Sequence, residues 1–379
     1  MKKILFLIHD LGPGGAEKVL INLVNNMDTS KFAITVMTIF DVGINRKYLK
    51  EDIRYLTCYK KVFRGNSHIM KILSPERLHN LFINEHYDIE VAYLEGPCAR
   101  IISGCKYRDT KLVAWIHTEH QNINRLSRSF RNYQETEKCY NRFHKIVCVS
   151  ETVKKDFSSL INLKVPTCVL YNTNEYNEIL RLSKETVDRN LFSNKNFKLV
   201  AVGKLLPNKG FDRLLRITNQ LRKENYEIHL YILGVGPEEK KLKKYTENHN
   251  LTNYVDFLGY QDNPYKYVAK CDLFICSSYR EGFSTATTEA LMVGTPVCTV
   301  SVSGMTEMLG GNNDYGVVTE NNDKSLLEGI KCLLDDKTLL SYYRTKAFER
   351  GKTCGSAWYG KMFNTESTVD AVERMLLML

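Results

Sequence analysis

The 379-residue chain is 43% hydrophobic and 25% charged, which is globular rather than disordered composition, and its length suits about two domains of ~100–200 residues. Its formal charge of +10 is uneven: residues 1–175 carry 26 Lys and Arg against 18 Asp and Glu, residues 176–379 carry 27 against 25. Such a basic half fits an anionic partner (nucleic acid, phospholipid or a phosphorylated acceptor) or a solvated basic surface, while eleven cysteines without a Cys-x-x-Cys pair argue against a disulfide framework or zinc site and for a reducing cytoplasm.

The apolar run Ile4–Ile8 stops at His9 and Asp10, too short for a signal peptide. No stretch approaches the ~20 apolar residues of a membrane span, so membrane contact is expected only at the periphery. Ile4–Ile8 reads as a buried strand, and Ala16–Asn26 as the helix after it. Between them lies Gly12-Pro13-Gly14-Gly15-Ala16-Glu17. Its glycines permit positive φ and close approach to a ligand, but the segment is neither a P-loop nor Gly-x-Gly-x-x-Gly. Strands follow at Phe32–Phe40, Ile89–Tyr93, Leu112–Ile116 and Lys145–Val149. A helix follows over Glu151–Leu160, capped by Ser150. Apolar strands between helices indicate a parallel sheet covered on both faces.

Arg46, Lys47, Lys50, Arg54, Lys60, Lys61, Arg64 and Lys71 cluster in the first half. Arg125, Arg128 and Arg131 recur at intervals of three beside Leu126 and Phe130. On a helix these would make a basic face with apolar anchors, as at an anionic membrane surface. The polar stretch Asn172–Asn196 reads as a linker.

The βα pattern restarts at Lys198–Val202. Helices are expected over Gly210–Lys223, Pro237–Asn248 and Thr285–Val293. Strands are expected at Ile228–Leu233, Tyr254–Phe257, Leu273–Cys276 and Pro296–Val300, with a terminal helix over Ser367–Leu377. Two such series predict an α/β chain with two doubly wound parallel sheets.

Lys204 and Lys209 lie between the first strand and helix of the second series, where two cations suit a diphosphate. Glu281-Gly282-Phe283-Ser284-Thr285-Ala286-Thr287-Thr288-Glu289 follows a strand and opens a helix. Ligands of open α/β sheets bind at those strand ends, a helix start suits a phosphate, and a carboxylate can accept from vicinal hydroxyls. Two carboxylates around a helix start therefore suit a nucleotide sugar. The bare spacing alone fits better a plain loop acid and a helix-face acid.

Together these segments resemble one family, the retaining GT-B glycosyltransferases of family four (glycosyl transferases group 1), of the polysaccharide-biosynthesis type. The resemblance implies two Rossmann-like domains facing a central cleft. Residues 1–175 would form the acceptor-side domain, 176–196 a linker, 197–355 the donor domain, and 356–379 a helical segment crossing back. It assigns Glu281 to the transferred sugar's hydroxyls and Glu289 to the ribose. Lys209 would bind the diphosphate, and the Phe283, Ser284 and Thr285 region would offer backbone amides to the donor. Lys204 stands where the family usually has arginine, so charge is kept but the bidentate fork is lost. Gly14 and Gly15 would approach the donor from the first domain. His117, in Trp115-Ile116-His117-Thr118-Glu119-His120, matches a family histidine near the donor sugar. Asn172-Thr173-Asn174 departs from the family's Asn-Pro or Asn-Gly.

The implied donor is a UDP-sugar, with a GDP-sugar second. The implied acceptor is a glycan or a lipid-diphosphate-linked glycan. No cofactor or metal is implied, since the chain lacks Asp-x-Asp and lysines with a helix start can neutralise a diphosphate. Nucleic acid is not an expected partner. The expected place is the cytoplasm, at the inner face of the plasma membrane if peripheral. A nucleotide-sugar epimerase or phosphorylase of the same fold, or a non-catalytic binder, are the competing readings.

Overall fold

The computed structural model describes residues 1–63, 66–188, 191–193, 195–352 and 365–379. The chain forms two compact units, residues 1–173 with 365–379, and residues 174–364.

Among the described residues, the first unit has strands β1 (Lys2–Ile8), β2 (Phe32–Phe40), β3 (Arg54–Tyr59), β4 (Ile89–Ala92), β5 (Lys111–Ile116), β6 (Lys145–Cys148) and β7 (Thr167–Val169). They lie in the order β3-β2-β1-β4-β5-β6-β7, and every pairing is parallel. Ile4 to Ile8 on β1 are wholly buried, as a central strand covered on both faces must be. The chain reverses its direction of travel across the sheet between β1 and β4. Ligands of such sheets bind beyond the strand ends at this switch point.

The helix Thr365–Leu377 belongs to this unit. Val369, Val372 and Leu376 are buried. Glu373 accepts from the Asp28 amide (2.6 Å) and from Lys31 Nζ (3.1 Å), and Lys2 Nζ donates to the Leu376 carbonyl (3.3 Å). Residues 356–364 of the expected C-terminal segment lie outside the described residues.

Arg100, on the helix Pro97–Ile102, is buried. Its guanidinium donates to Glu135 through Nε (3.1 Å) and Nη2 (2.9 Å), and to the carbonyls of Met70 and Leu73. One cation thus fastens three stretches of chain.

In the second unit the described strands are β8 (Phe197–Val202), β9 (Ile228–Leu233), β10 (Val255–Gly259), β11 (Leu273–Cys276), β12 (Val297–Val300) and β13 (Val317–Thr319). They lie in the order β10-β9-β8-β11-β12-β13, again all parallel. The switch point falls between β8 and β11. Leu199, Leu214, Leu230, Ile275, Val300 and Ile330 belong to one core.

Two expectations change. The stretch read as a linker contains a helix, Tyr176–Ser183, which packs on the helices Tyr265–Val268 and Thr285–Met292. Ile179 is buried and Tyr176, Leu180 and Leu182 are half-buried, a short apolar stripe that polar neighbours hid. Positions 189, 190 and 194 of that stretch lie outside the described residues.

The Arg125, Arg128 and Arg131 face is also broken. The chain forms a four-residue helix, Ile123–Leu126, then a 3-10 turn. Leu126 and Phe130 are buried, with Phe130 against Tyr140. They are core residues rather than membrane anchors.

The ten described cysteines are free thiols, and burial pushes Cys148 up to about 12. No helix among the described residues is long and apolar enough to cross a membrane.

Candidate active site

In the second unit the site is built on the loops after β8 and β11. Pro207 starts a 3-10 turn that ends at Lys209, followed by Gly210 at φ +66°. A Cβ on Gly210 would lie 2.0 Å from the Ser277 carbonyl oxygen, so only glycine combines this backbone with this contact. The Ser277 hydroxyl donates to the Gly210 carbonyl (2.9 Å), and the Tyr279 amide to the Asn208 carbonyl (2.8 Å). The two loops are thereby stitched together.

The stitching brings Lys209 to Glu281. Nζ donates to Oε1 at 2.7 Å and Oε2 at 2.8 Å, and the Ser278 hydroxyl donates to Oε1 at 2.6 Å. Glu281 is buried and Lys209 half-buried, so solvent screens this pair less than a surface pair. Burial, reinforced by the Glu281 charge, pushes the neighbouring Cys276 thiol up.

Helix Thr285–Met292 begins three residues after Gly282. The Ser284 hydroxyl caps it, accepting from the Thr287 amide (3.3 Å) and hydroxyl (2.9 Å). The Ser284 side chain is thus occupied by the helix, and backbone amides of the first turn are what such a start offers an anion. Phe283 and Thr285 are buried. Glu289, also buried, accepts a hydrogen bond from the Tyr265 hydroxyl (3.1 Å). Lys204 is half-buried on the loop after β8, and its carbonyl accepts from the Leu206 amide.

Gly14, Gly15 and His117 belong to the first unit. Gly14 caps the helix Gly15–Asn26 with an extended backbone, φ −112°. It uses no positive φ, and a Cβ there would lie 2.1 Å from the Glu17 carboxylate, the far end of a flexible side chain.

His117 follows β5. Its amide donates to Glu95 Oε2 (3.0 Å), and its ring lies against Tyr93, 4.8 Å between centroids. Burial pulls its pKa down to about 4, opposed by the Glu95 charge and by a hydrogen bond to the Tyr93 backbone. The ring is therefore neutral at pH 7. Nε2 is buried without a hydrogen-bond partner. With the ring proton on the nitrogen facing the Tyr93 carbonyl, Nε2 presents a lone pair suited to accept from a hydroxyl.

Sequence reasoning missed Ser278, Tyr265 and Glu95. Ser278 carries a weak signal, one helical turn's spacing ahead of Glu281. Tyr265 and Glu95 reach their partners through the fold alone. One buried trio, His79, Glu90 and Cys105, places potential metal-ligating atoms within 4.8 Å of one another. Its His79 Nε2 and Glu90 Oε2 are hydrogen-bonded at 2.8 Å. Glu90 sits early in β4, paired with Leu5 and Leu112, and not at the strand ends where the other site residues lie.

Residues 13–173 match the family model Glycosyltransferase Family 4, and residues 183–350 match Glycosyl transferases group 1. A Campylobacter jejuni protein named N-acetylgalactosamine-N,N'-diacetylbacillosaminyl-diphospho-undecaprenol 4-alpha-N-acetylgalactosaminyltransferase is 28% identical over 93% of this chain and 95% of its own. The lipopolysaccharide core biosynthesis glycosyltransferase LpsD of Rhizobium meliloti is 23% identical over 96% and 95%. The fold is similar to that of Anabaena HepE crystallised with UDP and glucose (TM-score 0.78, 20% identity, all of both chains). It is also similar to that of sucrose-phosphate synthase from Thermosynechococcus elongatus (TM-score 0.81, 15% identity, 100% of this chain and 99% of that one). With one family model on each unit and relatives of this kind along nearly its whole length, the chain belongs to the GT-B glycosyltransferases of family 4, group 1, and is a hexosyltransferase.

Proposed function

We propose that the chain moves a hexose or N-acetylhexosamine, with retention of anomeric configuration, from a UDP-sugar to a lipid-diphosphate-linked glycan in bacterial surface polysaccharide synthesis. The observation that carries this reading is the Lys209–Glu281 pair, set beside a capped helix start and a buried Glu289. Lys209 and the helix start supply positive potential for a departing diphosphate without a metal ion. Glu281 supplies acceptor oxygens for sugar hydroxyls and Glu289 for ribose hydroxyls; in the first unit, His117 Nε2 by itself suits a sugar hydroxyl. The leaving diphosphate takes the acceptor's proton on the same face of the sugar. The UDP in the HepE crystals and the diphospho-undecaprenol in the Campylobacter relative's name support the choice of base and acceptor class.

Thermal-shift titration with UDP, GDP and NAD tests the donor. UDP is expected to stabilise the protein, and Glu289→Ala to weaken UDP binding about tenfold to hundredfold, the effect of losing hydrogen bonds to a charged group. Stabilisation by GDP instead would change the base. Stabilisation by NAD alone, or by none of the three, would sink the reading.

A peripheral membrane site is proposed with it. Strands β2 and β3 are parallel neighbours, so the segments 41–50 and 60–72 leave the sheet at one end. They carry Lys47, Lys50, Lys60, Lys61 and Lys71, with Val42, Ile44, Tyr48, Val62 and Ile72 exposed among them, while Arg46 is paired with Asp41 (3.0 Å). Basic residues around exposed apolar ones suit an anionic bilayer surface. Arg54 does not join them: it opens β3 at the other end and forms a two-point pair with Glu85. Arg64 lies outside the described residues. Sedimentation at low salt is expected to favour phosphatidylglycerol vesicles over phosphatidylcholine ones. Equal binding to both would exclude this surface.

A further inference from the structure

Glu95 and His120 stand beside His117 in the first unit and have no part in the scheme above. Glu95 lies in the loop after β4 and His120 in the loop after β5, neighbouring parallel strands. Gln121 has φ +65°, an uncommon conformation for a residue with a side chain. Asp156 holds that turn, accepting from the amides of His120 (2.6 Å) and Gln121 (3.0 Å). The result is that His120 Nε2 stands 3.8 Å from Glu95 Oε1, while Glu95 Oε2 is engaged by the His117 amide.

At 3.8 Å the two atoms are too far apart for a direct hydrogen bond. His120 is buried, and its Nε2 has no hydrogen-bond partner. A buried polar atom left in this condition is costly. One oxygen about 2.8 Å from each atom would satisfy both once the side chains part to admit it. That oxygen must accept from an imidazole N–H and donate to a carboxylate, which a hydroxyl does. A phosphate oxygen does not, because the Glu95 charge repels it. The groups suited to the donor's phosphates and ribose lie in the second unit, on Lys209, the helix start and Glu289.

We propose that Glu95 and His120 together hold one hydroxyl of the acceptor sugar and so help to select the acceptor. This rests on the transferase reading above. The test is imidazole 15N spectroscopy of the full chain, titrated first with UDP and then with the octyl β-glycosides of glucose, galactose, N-acetylglucosamine and N-acetylgalactosamine. The His120 resonances are expected to move with at least one glycoside in the presence of UDP and to stay in place with UDP alone. His120→Gln and Glu95→Gln are each expected to weaken that glycoside at least tenfold and to leave the UDP dissociation constant within twofold. His120 resonances unmoved by all four glycosides would overturn the proposal, as would variants that bind the glycoside unchanged or that weaken UDP equally. Absence of UDP binding to the wild-type chain is a separate result and strikes the donor reading itself.

Discussion

Glutamine in place of Glu281 is expected to lower kcat about 10²–10³-fold, the size of effect seen when one preorganised group at a reacting centre is removed, while UDP binds as tightly as before or tighter. The second half of that expectation comes from the geometry. Lys209 Nζ is bound to both oxygens of Glu281, and Ser278 holds one of them from the other side. A diphosphate arriving at Lys209 must therefore draw the ammonium away from a buried carboxylate. Neutralising that carboxylate loosens its hold on Lys209 and lets the ammonium turn to the phosphates more easily, but it removes the charged acceptor for the sugar hydroxyls. Nucleotide affinity and turnover should move apart, which a general unfolding of the site would not produce. Steady-state kinetics with a UDP-sugar and calorimetric titration with UDP read the two halves separately. Full turnover with intact UDP binding would remove Glu281 from the mechanism.

Replacing Arg100 by methionine is expected to cost about 3–5 kcal/mol of stability, because it breaks a buried ion pair and leaves one partner uncompensated. Burial alone would raise the Glu135 pKa. The hydrogen bond and charge of Arg100, with help from Arg131, hold it below the usual carboxylate range instead. The Met70 and Leu73 carbonyls lose their donors as well. Changing Glu135 to leucine in the same chain should recover part of the loss, since an apolar pair of similar volume needs no counter-charge. Urea unfolding of the two variants measures the difference. A single variant costing less than about 1 kcal/mol would mean that solvent reaches Glu135.

The central strands were legible because both faces are covered. Ile4–Ile8, Ile228–Leu233 and Leu273–Cys276 are apolar at nearly every position, and they lie at or beside the switch points of their sheets. Three of the four edge strands among the described residues were not: β7 and β13 have three residues each, and β3 is half-buried along most of its length, while the fourth, β10, was legible as Tyr254–Phe257. Such segments are strands because a neighbour pairs with them, a cause that no local pattern records. The site divides in the same way. Lys209, Glu281 and Glu289 stand at a strand end and a helix start within short stretches of sequence, but spacing alone fits an ordinary loop acid and helix-face acid as well, and it is the family resemblance that singles them out. Tyr265 meets Glu289 across 24 positions and Glu95 meets His117 across 22. Only the parallel stacking of βα units brings those distances to zero.

The helix Thr365–Leu377 gives the first unit two ends far apart in the chain. Residues 174–364 form their own sheet and core, so the second unit can fold during synthesis as soon as it has emerged. The first unit, although synthesised earlier, waits for Val369, Val372 and Leu376 to fill their places. Until then Lys2, Lys31 and the Asp28 amide lack their partners on this helix, and the incomplete unit is open to chaperones and to other nascent chains. The half of the enzyme made first is therefore the half completed last.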